Sequence, residues 1–234
     1  MIDPGRFEAL TFDCYGTLVD WESGLAGALR PVLERHGVPW PGDDAVLERF
    51  ARHEVRIEAG PYRRYRDVLA AVLDALGEES GFRPSPEERA AFGGSVSQWP
   101  VFADTRASLL TLSTRYRLAV VSNVDDDLFA GSAARIGVPF HEVVTAEQVR
   151  SYKPAPGHFH EVVRRLDVPV SRVLHVAQSL FHDIRPARAL GFTCVWVNRR
   201  RGRSGAGATP PADASPDLEV SSLAELADRL GLPG

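Results

Sequence analysis

The stretch Phe7-Glu8-Ala9-Leu10-Thr11-Phe12-Asp13-Cys14-Tyr15-Gly16-Thr17-Leu18 decides how the chain is read. Its first half is a short apolar run that predicts a strand over 7–13. It ends in an acid, and Gly16 lets the chain turn sharply just beyond. In an open α/β sheet, the carboxyl end of a strand is where ligands bind. An Asp capping a turn is the plainer alternative for Asp13 taken alone.

Working outward, five more apolar runs predict strands, at 118–122, 142–145, 173–177, 193–197 and 218–220. The runs Leu118-Ala119-Val120-Val121 and Val195-Trp196-Val197 are continuous rather than alternating, as suits parallel strands covered on both faces. Helical patterns fall between them, at about 104–114, 125–136, 156–166, 183–190 and 222–230. The alternation predicts an α/β fold: a doubly wound, Rossmann-like parallel sheet. One interval breaks it. From 19 to 98 there are amphipathic stretches at 24–36, 44–58, 62–76 and 86–98, separated by breakers such as Gly60-Pro61. This predicts an inserted all-helical cap (19–98) on a core made of 1–18 and 99–234. The segment 199–216, rich in Arg, Gly, Ala, Ser and Pro, reads as a mobile, solvated surface loop. Its basic start, Arg199-Arg200-Arg201-Gly202-Arg203, is the part with any affinity for a polyanion.

Composition narrows the class. The chain has 234 residues, a net charge of -4, 44% hydrophobic and 25% charged residues, the profile of a globular protein. No apolar run is long enough for a membrane span, and the first residues lack a basic-then-apolar leader pattern. Cys14 and Cys194 make no disulfide framework. These features predict a cytoplasmic protein with no nucleic acid and no membrane as partner; a homodimer is left open, and a small anionic substrate is what the charged residues and the resemblance below imply. Among 27 basic residues only Lys153 is lysine. Where Arg has replaced Lys almost everywhere, a surviving Lys points to a place that needs a compact ammonium.

The other strand ends gather polar groups. The second strand runs into Ser122-Asn123, a third cluster is Ser151-Tyr152-Lys153-Pro154, and the fourth strand runs into Gln178-Ser179-Leu180-Phe181-His182-Asp183. In a parallel sheet these edges converge on one crevice. There Asp13 can act as nucleophile. Lys153 would offset charge repulsion and keep Asp13 ionised. The backbone N–H groups after Asp13, with Ser122 and Asn123, can hold substrate oxygens, and Asp183 can orient a water.

With these residues in order, the chain resembles the haloacid dehalogenase superfamily over nearly its whole length, closest to the 2-haloacid dehalogenases. Asp13 matches the nucleophile, Ser122-Asn123 the second motif, Lys153-Pro154 the third and Asp183 the acid of the fourth. The resemblance implies catalytic roles for Asp13, Lys153 and Asp183. It implies substrate contacts from Cys14, Tyr15, Thr17, Ser122 and Asn123, and a halide-holding Arg from the cap, for which Arg52 and Arg56 are the candidates. Phosphatases of the superfamily carry an Asp two residues after the nucleophile to protonate the leaving oxygen; here that position is Tyr15. A phenol is a poor substitute, whereas a halide needs no proton. The resemblance thus implies hydrolysis of short 2-halo carboxylic acids through an Asp13 ester, without a cofactor. The alternative is a Mg-dependent phosphatase with Asp13, the carbonyl of Tyr15 and Asp183 on the metal; a third reading is a non-catalytic binding protein. The chain departs from the dehalogenase pattern at Phe159, where a Tyr is usual, and at Gln178 and Leu180, where Ser and Asn are usual. Ser179 and His182 are candidate replacements. Trp21, Tyr62, Trp99 and Phe102 are candidates to line an apolar pocket, with core packing the plainer role for each.

Overall fold

In the computed structural model, which describes residues 2–202 and 207–232, six strands form one parallel sheet in the order β3-β2-β1-β4-β5-β6. They are β1 (Ala9–Phe12), β2 (Arg117–Ser122), β3 (Glu142–Thr145), β4 (Val173–Ala177), β5 (Thr193–Val197) and β6 (Leu218–Val220). Every neighbouring pair is parallel. The central strands β1 and β4 are buried at every position, which is why their sequences are apolar without alternation.

Between β1 and β2 lie α1 (Trp21–Arg35), α2 (Asp43–Glu58), α3 (Tyr65–Ser80), α4 (Pro86–Gly94), a 3-10 turn (Ser95–Gln98) and α5 (Thr105–Ser113). The rest of the chain adds α6 (Asp126–Ile136), α7 (Ala146–Val149), α8 (Gly157–Leu166), α9 (Arg185–Ala189) and α10 (Leu223–Arg229). α4 opens on a capping box between Ser85 and Glu88, which satisfies orphan N–H groups at its start. α1 approaches the returning chain so closely that a Cβ on Gly24 would fall 2.3 Å from the Trp99 ring. One apolar core runs from Leu10, Phe12 and Val176 of the sheet into Leu25, Leu69 and Leu73 of the helical insertion. A second core, with Val121, Phe159 and Ile184, covers the opposite sheet face.

The expected helix over 183–190 begins earlier, as a π turn, Leu180–Ile184, that runs into α9. The segment after β5 differs from the expected solvated loop. Arg199 Nη1 donates to Asp104 Oδ1 at 2.9 Å and Arg199 Nη2 to Thr17 O at 2.8 Å. Arg200 pairs with Glu22 and Asp44, each at 2.6 Å. Both side chains are only 11% exposed. These guanidinium groups fasten the segment to α1, α2 and α5 rather than offering charge to a polyanion; Arg203 lies outside the described residues. No helix among the described residues is long and apolar enough to cross a membrane.

Topology places the site. The chain builds β2 and β3 on one side of β1, then β4, β5 and β6 on the other, so the order reverses between β1 and β4. A crevice opens at the carboxyl edge of such a switch point. Phe12 is level with Val120 and Val176, so Asp13 emerges beside Val121 and Ala177.

Candidate active site

Asp13 follows β1 directly, and Gly16, at φ 93°, turns the chain away from it. Gly16 N–H donates to Val19 O and Leu18 N–H to Cys14 O, both at 2.8 Å, closing the turn. Thr17 Oγ1 donates to Asp13 Oδ2 at 2.7 Å and accepts from Gln178 N–H at 2.9 Å. Thr17 is fully buried. It therefore orients the Asp13 carboxylate and joins β1 to β4, correcting the expectation that it touches substrate. The Cys14 side chain lies in the core, which corrects the same expectation for its thiol. The N–H groups of Cys14 and Tyr15 donate to no atom among the described residues, leaving two donors beside Asp13.

Lys153 explains its own identity. Its Nζ donates to Asp13 Oδ1 at 2.9 Å, to Asp183 Oδ1 at 2.7 Å and to Val121 O at 2.9 Å. An ammonium has three donors pointing in three directions, and all three are used. A planar guanidinium would not fit the same three acceptors around one atom. Asn123 ties down the loop: its Oδ1 accepts from Lys153 N–H at 2.7 Å and its Nδ2 donates to Lys153 O at 3.1 Å. Asn123 thus positions Lys153; its amide has a second N–H, and the residue lines the cavity over Asp13. Ser122 Oγ is fully buried without a partner, and Ser122 is not among the residues that line the cavity over Asp13.

His175 stands behind Asp183, with Nε2 3.2 Å from Asp183 Oδ1 and Nδ1 3.0 Å from Thr11 Oγ1. Phe159 packs edge-on against His175 at 5.3 Å between ring centres, so the position where a Tyr was anticipated is a wall of the core. Burial pushes the Asp13 carboxyl up, Lys153 pulls it down, and Asp183 pushes it up again; the net shift is upward. Burial would raise Asp183 as well, but Lys153 and His175 hold it at about 2. Burial lowers Lys153, yet the two carboxylates outweigh that and raise it. The arrangement is a fully desolvated ammonium between two carboxylates, stable only because each charge is paired.

The π turn supplies the remaining polar edge. Ser179 Oγ accepts from His182 N–H at 2.8 Å and lies 3.2 Å from His182 Nδ1. Burial holds the His182 pKa down to about 4, so the ring is neutral. Its Nε2 and Asp183 Oδ2 are buried and unpartnered, and both residues line the cavity above Asp13. Gln178 lines it too and accepts from Thr209 Oγ1 at 3.2 Å. Leu180 packs beside Trp196 in a separate groove.

The helical insertion closes the cavity with residues that sequence reasoning missed: Glu54 and Glu58 of α2 and Tyr65 of α3. Tyr65 Oη donates to Glu54 Oε1 at 2.7 Å. Arg52 and Arg56 are exposed, and Arg52 pairs with Glu79 at 2.9 Å. The expectation that they reach the site is therefore corrected. The reason is helical phase: residues two apart on a helix differ by about 200° in direction. Leu47, Phe50 and Ala51 form the buried stripe of α2, and Glu54 continues it. That continuation was the signal available in the sequence. Burial pushes Glu54 up to about 8, and burial with the neighbouring Glu54 pushes Glu58 up too. Trp21 also lines the cavity. Tyr62 packs against Tyr152 and Trp99 against Tyr15; Phe102 lies under Arg199.

The residues proposed for Mg, Asp13, the carbonyl of Tyr15 and Asp183, bring two carboxylates together, and Lys153 bridges them. Asp13 Oδ1 and Asp183 Oδ1 are taken by Lys153 and Asp13 Oδ2 by Thr17, leaving Asp183 Oδ2 as the one carboxylate oxygen of the pair without a partner. Mg is usually bound through one or two carboxylates, with water completing its octahedron. No group of three or more His, Cys, Asp or Glu side chains among the described residues could hold a metal ion.

Comparison with known proteins agrees with this geometry. A family model for haloacid dehalogenase-like hydrolases matches residues 7–191. The chain is 33% identical over 135 residues to haloacid dehalogenase-like hydrolase domain-containing protein 3 of Danio rerio, covering 56% of this chain and about half (53%) of that protein. It is 25% identical over 203 residues to haloacetate dehalogenase H-2 of Moraxella sp., covering 83% of this chain and 87% of that protein. It is 26% identical over 234 residues to 5-amino-6-(5-phospho-D-ribitylamino)uracil phosphatase of Escherichia coli, covering 95% of each. The crystal structure of an L-2-haloacid dehalogenase superposes with a TM-score of 0.79 at 28% identity, covering 96% of this chain and 99% of that one. With its nucleophile-bearing strand end, its lysine-bridged acids and its parallel sheet, the chain belongs to the haloacid dehalogenase-like hydrolases.

Proposed function

We propose that the protein is a metal-independent hydrolase of carbon–halogen bonds in short 2-halo carboxylic acids. The observation that carries this reading is Tyr15. Its phenol sits where a proton-donating carboxyl would serve an alkoxide leaving group. Burial pushes its pKa well up, and its Oη is 2.9 Å from Ser132 Oγ. A halide leaves without a proton. An Asp13 oxygen attacks the carbon bearing the halogen, forming an ester as halide departs. The substrate carboxylate is held by the N–H groups of Cys14 and Tyr15. Asp183 then orients a water onto the Asp13 carbonyl carbon. Cleavage releases a 2-hydroxy acid and restores the carboxylate, with Lys153 countering the charge throughout. Dehalogenases among the relatives, with coverage above four fifths of this chain, support the same reading.

One observation favours a second reading, phosphate monoester hydrolysis. Glu54 retains a proton near neutrality and lines the cavity, so it can supply the proton that Tyr15 cannot. In that reading Asp13, the carbonyl of Tyr15 and Asp183 would hold Mg. Halide release from chloroacetate in the presence of EDTA tests the proposal. Release that survives EDTA is expected; no release from any short haloacid, with Mg-dependent turnover of p-nitrophenyl phosphate, overturns it.

A further inference from the structure

Among the described residues, the buried polar side-chain atoms without a hydrogen-bond partner include only two from residues that line the cavity over Asp13: Asp183 Oδ2 and His182 Nε2. The first has a task, because Asp183 orients the water that cleaves the ester. The second has none so far. A buried polar atom left unpaired is costly unless a ligand or a water answers it. His182 is 8% exposed, so bulk solvent does little for it.

The ring is held in place from its other sides. His182 N–H donates to Ser179 Oγ at 2.8 Å, and Nδ1 lies 3.2 Å from the same oxygen. The Phe181 ring packs edge-on against it at 4.8 Å between ring centres. The turn that carries it, Leu180–Ile184, is closed by Ile184 N–H donating to Ser179 O at 3.1 Å. Such π turns are rare and are frequent at functional sites. The neighbours offer a water little else: Leu180 lies in a separate groove, and Gln178 Oε1 is taken by Thr209.

We propose that His182 is a catalytic residue of the second chemical step, its Nε2 holding, together with Asp183 Oδ2, the water that cleaves the Asp13 ester. This rests on the ester reading of the reaction. An ordered water needs about two to four polar partners, and these supply two. The water oxygen bonds to the Asp13 carbonyl carbon, and the bond from that carbon to the substrate oxygen breaks. One water proton ends on the hydroxyl of the released acid, and the other goes to solvent. With the ring proton on either nitrogen, Nε2 offers that water one hydrogen bond, as acceptor or as donor. In the first step halide leaves and no water reacts, so His182 has no part in it.

Two substitutions separate this role from a structural one. His182→Asn keeps a polar atom for Ser179 but cannot reach the place of Nε2, whereas His182→Gln can. Rapid-quench turnover of 2-chloropropionate by the full chain measures chloride release, and mass analysis of the peptide containing Asp13 follows the ester over time. In His182→Asn, the first chloride is expected within about threefold of the wild-type rate, while ester loss slows by about ten- to a hundredfold, so that ester accumulates. His182→Gln is expected to recover part of that loss. Should His182→Asn fail to fold, His182→Phe, which fills the ring's space without Nε2, takes the same test. Ester loss at the wild-type rate overturns the role, and so does an equal slowing of both steps. A wild type that releases no halide from any short haloacid overturns the reaction itself, and the role of His182 with it.

Discussion

The two sides of the cavity are built on opposite principles. On the sheet side, every charge has a partner: Lys153 bridges Asp13 and Asp183, Thr17 holds the far oxygen of Asp13, His175 joins Lys153 on Asp183 Oδ1, and Asn123 fixes the lysine loop. On the helical side, Glu54 and Glu58 face the same space with no cation of their own, and a tyrosine hydroxyl is the one bond Glu54 receives. The sheet side is preorganised for one reaction. The helical side has no such bridging cation, and burial raises both of its acids instead.

The sharpest way to break this contrast is at the lysine. Lys153→Arg retains charge but cannot serve three acceptors from one nitrogen, so turnover is expected to fall by roughly a thousandfold or more, measured as halide release per folded enzyme. A variant within a few fold of wild type would mean that the sheet side is not preorganised around an ammonium. Thr17→Val comes next. It frees Asp13 Oδ2 and strands Gln178 N–H, and kcat is expected to drop about ten- to a hundredfold, with a smaller effect on KM. A change confined to KM would make Thr17 a substrate ligand after all.

The helical side is probed through pH. Glu54 is held at about 8 in the fold, above its ordinary 4.5. A raised acid favours the fold fully below the ordinary value, and that contribution is lost as pH rises through 8. The stability of the wild type relative to Glu54→Gln should therefore decline between pH 5 and 8.5, read as the difference in Tm at the two pH values. A constant difference would contradict the buried, uncompensated state of Glu54. The smallest effect is expected at Arg52. Its side chain is 60% exposed and paired with Glu79 across the surface, so Arg52→Gln should change kcat/KM less than about twofold. A larger loss would return the halide-holding role to that arginine.

What could be read from sequence follows the same divide. Strand ends are fixed points: a parallel strand terminates at one edge, and whatever follows it enters the crevice. Asp13, Ser122, Lys153 and Asp183 were therefore locatable without coordinates, and β3 to β6 fall on the expected residues. Their partners were harder. Thr17 looked like a substrate ligand because the sequence shows a hydroxyl near the site, not where its hydrogen bonds go. On α2, the choice between Arg52 with Arg56 and Glu54 with Glu58 is a matter of helical phase, which positions the whole face. Leu47, Phe50 and Ala51 carried that phase, but the arginines answered a chemical expectation and drew attention two residues away. His175 was invisible for another reason: a histidine inside an apolar strand reads as core until its neighbours across the sheet are known.

The central claim is that water cleaves an ester at the carbonyl of Asp13. It is tested most directly by one turnover of a 2-chloro acid in 18O-labelled water with EDTA present, followed by mass analysis of the peptide containing Asp13 and of the product. The account predicts one heavy oxygen on Asp13 and an unlabelled hydroxyl in the product; label in the product with none on Asp13 would contradict it.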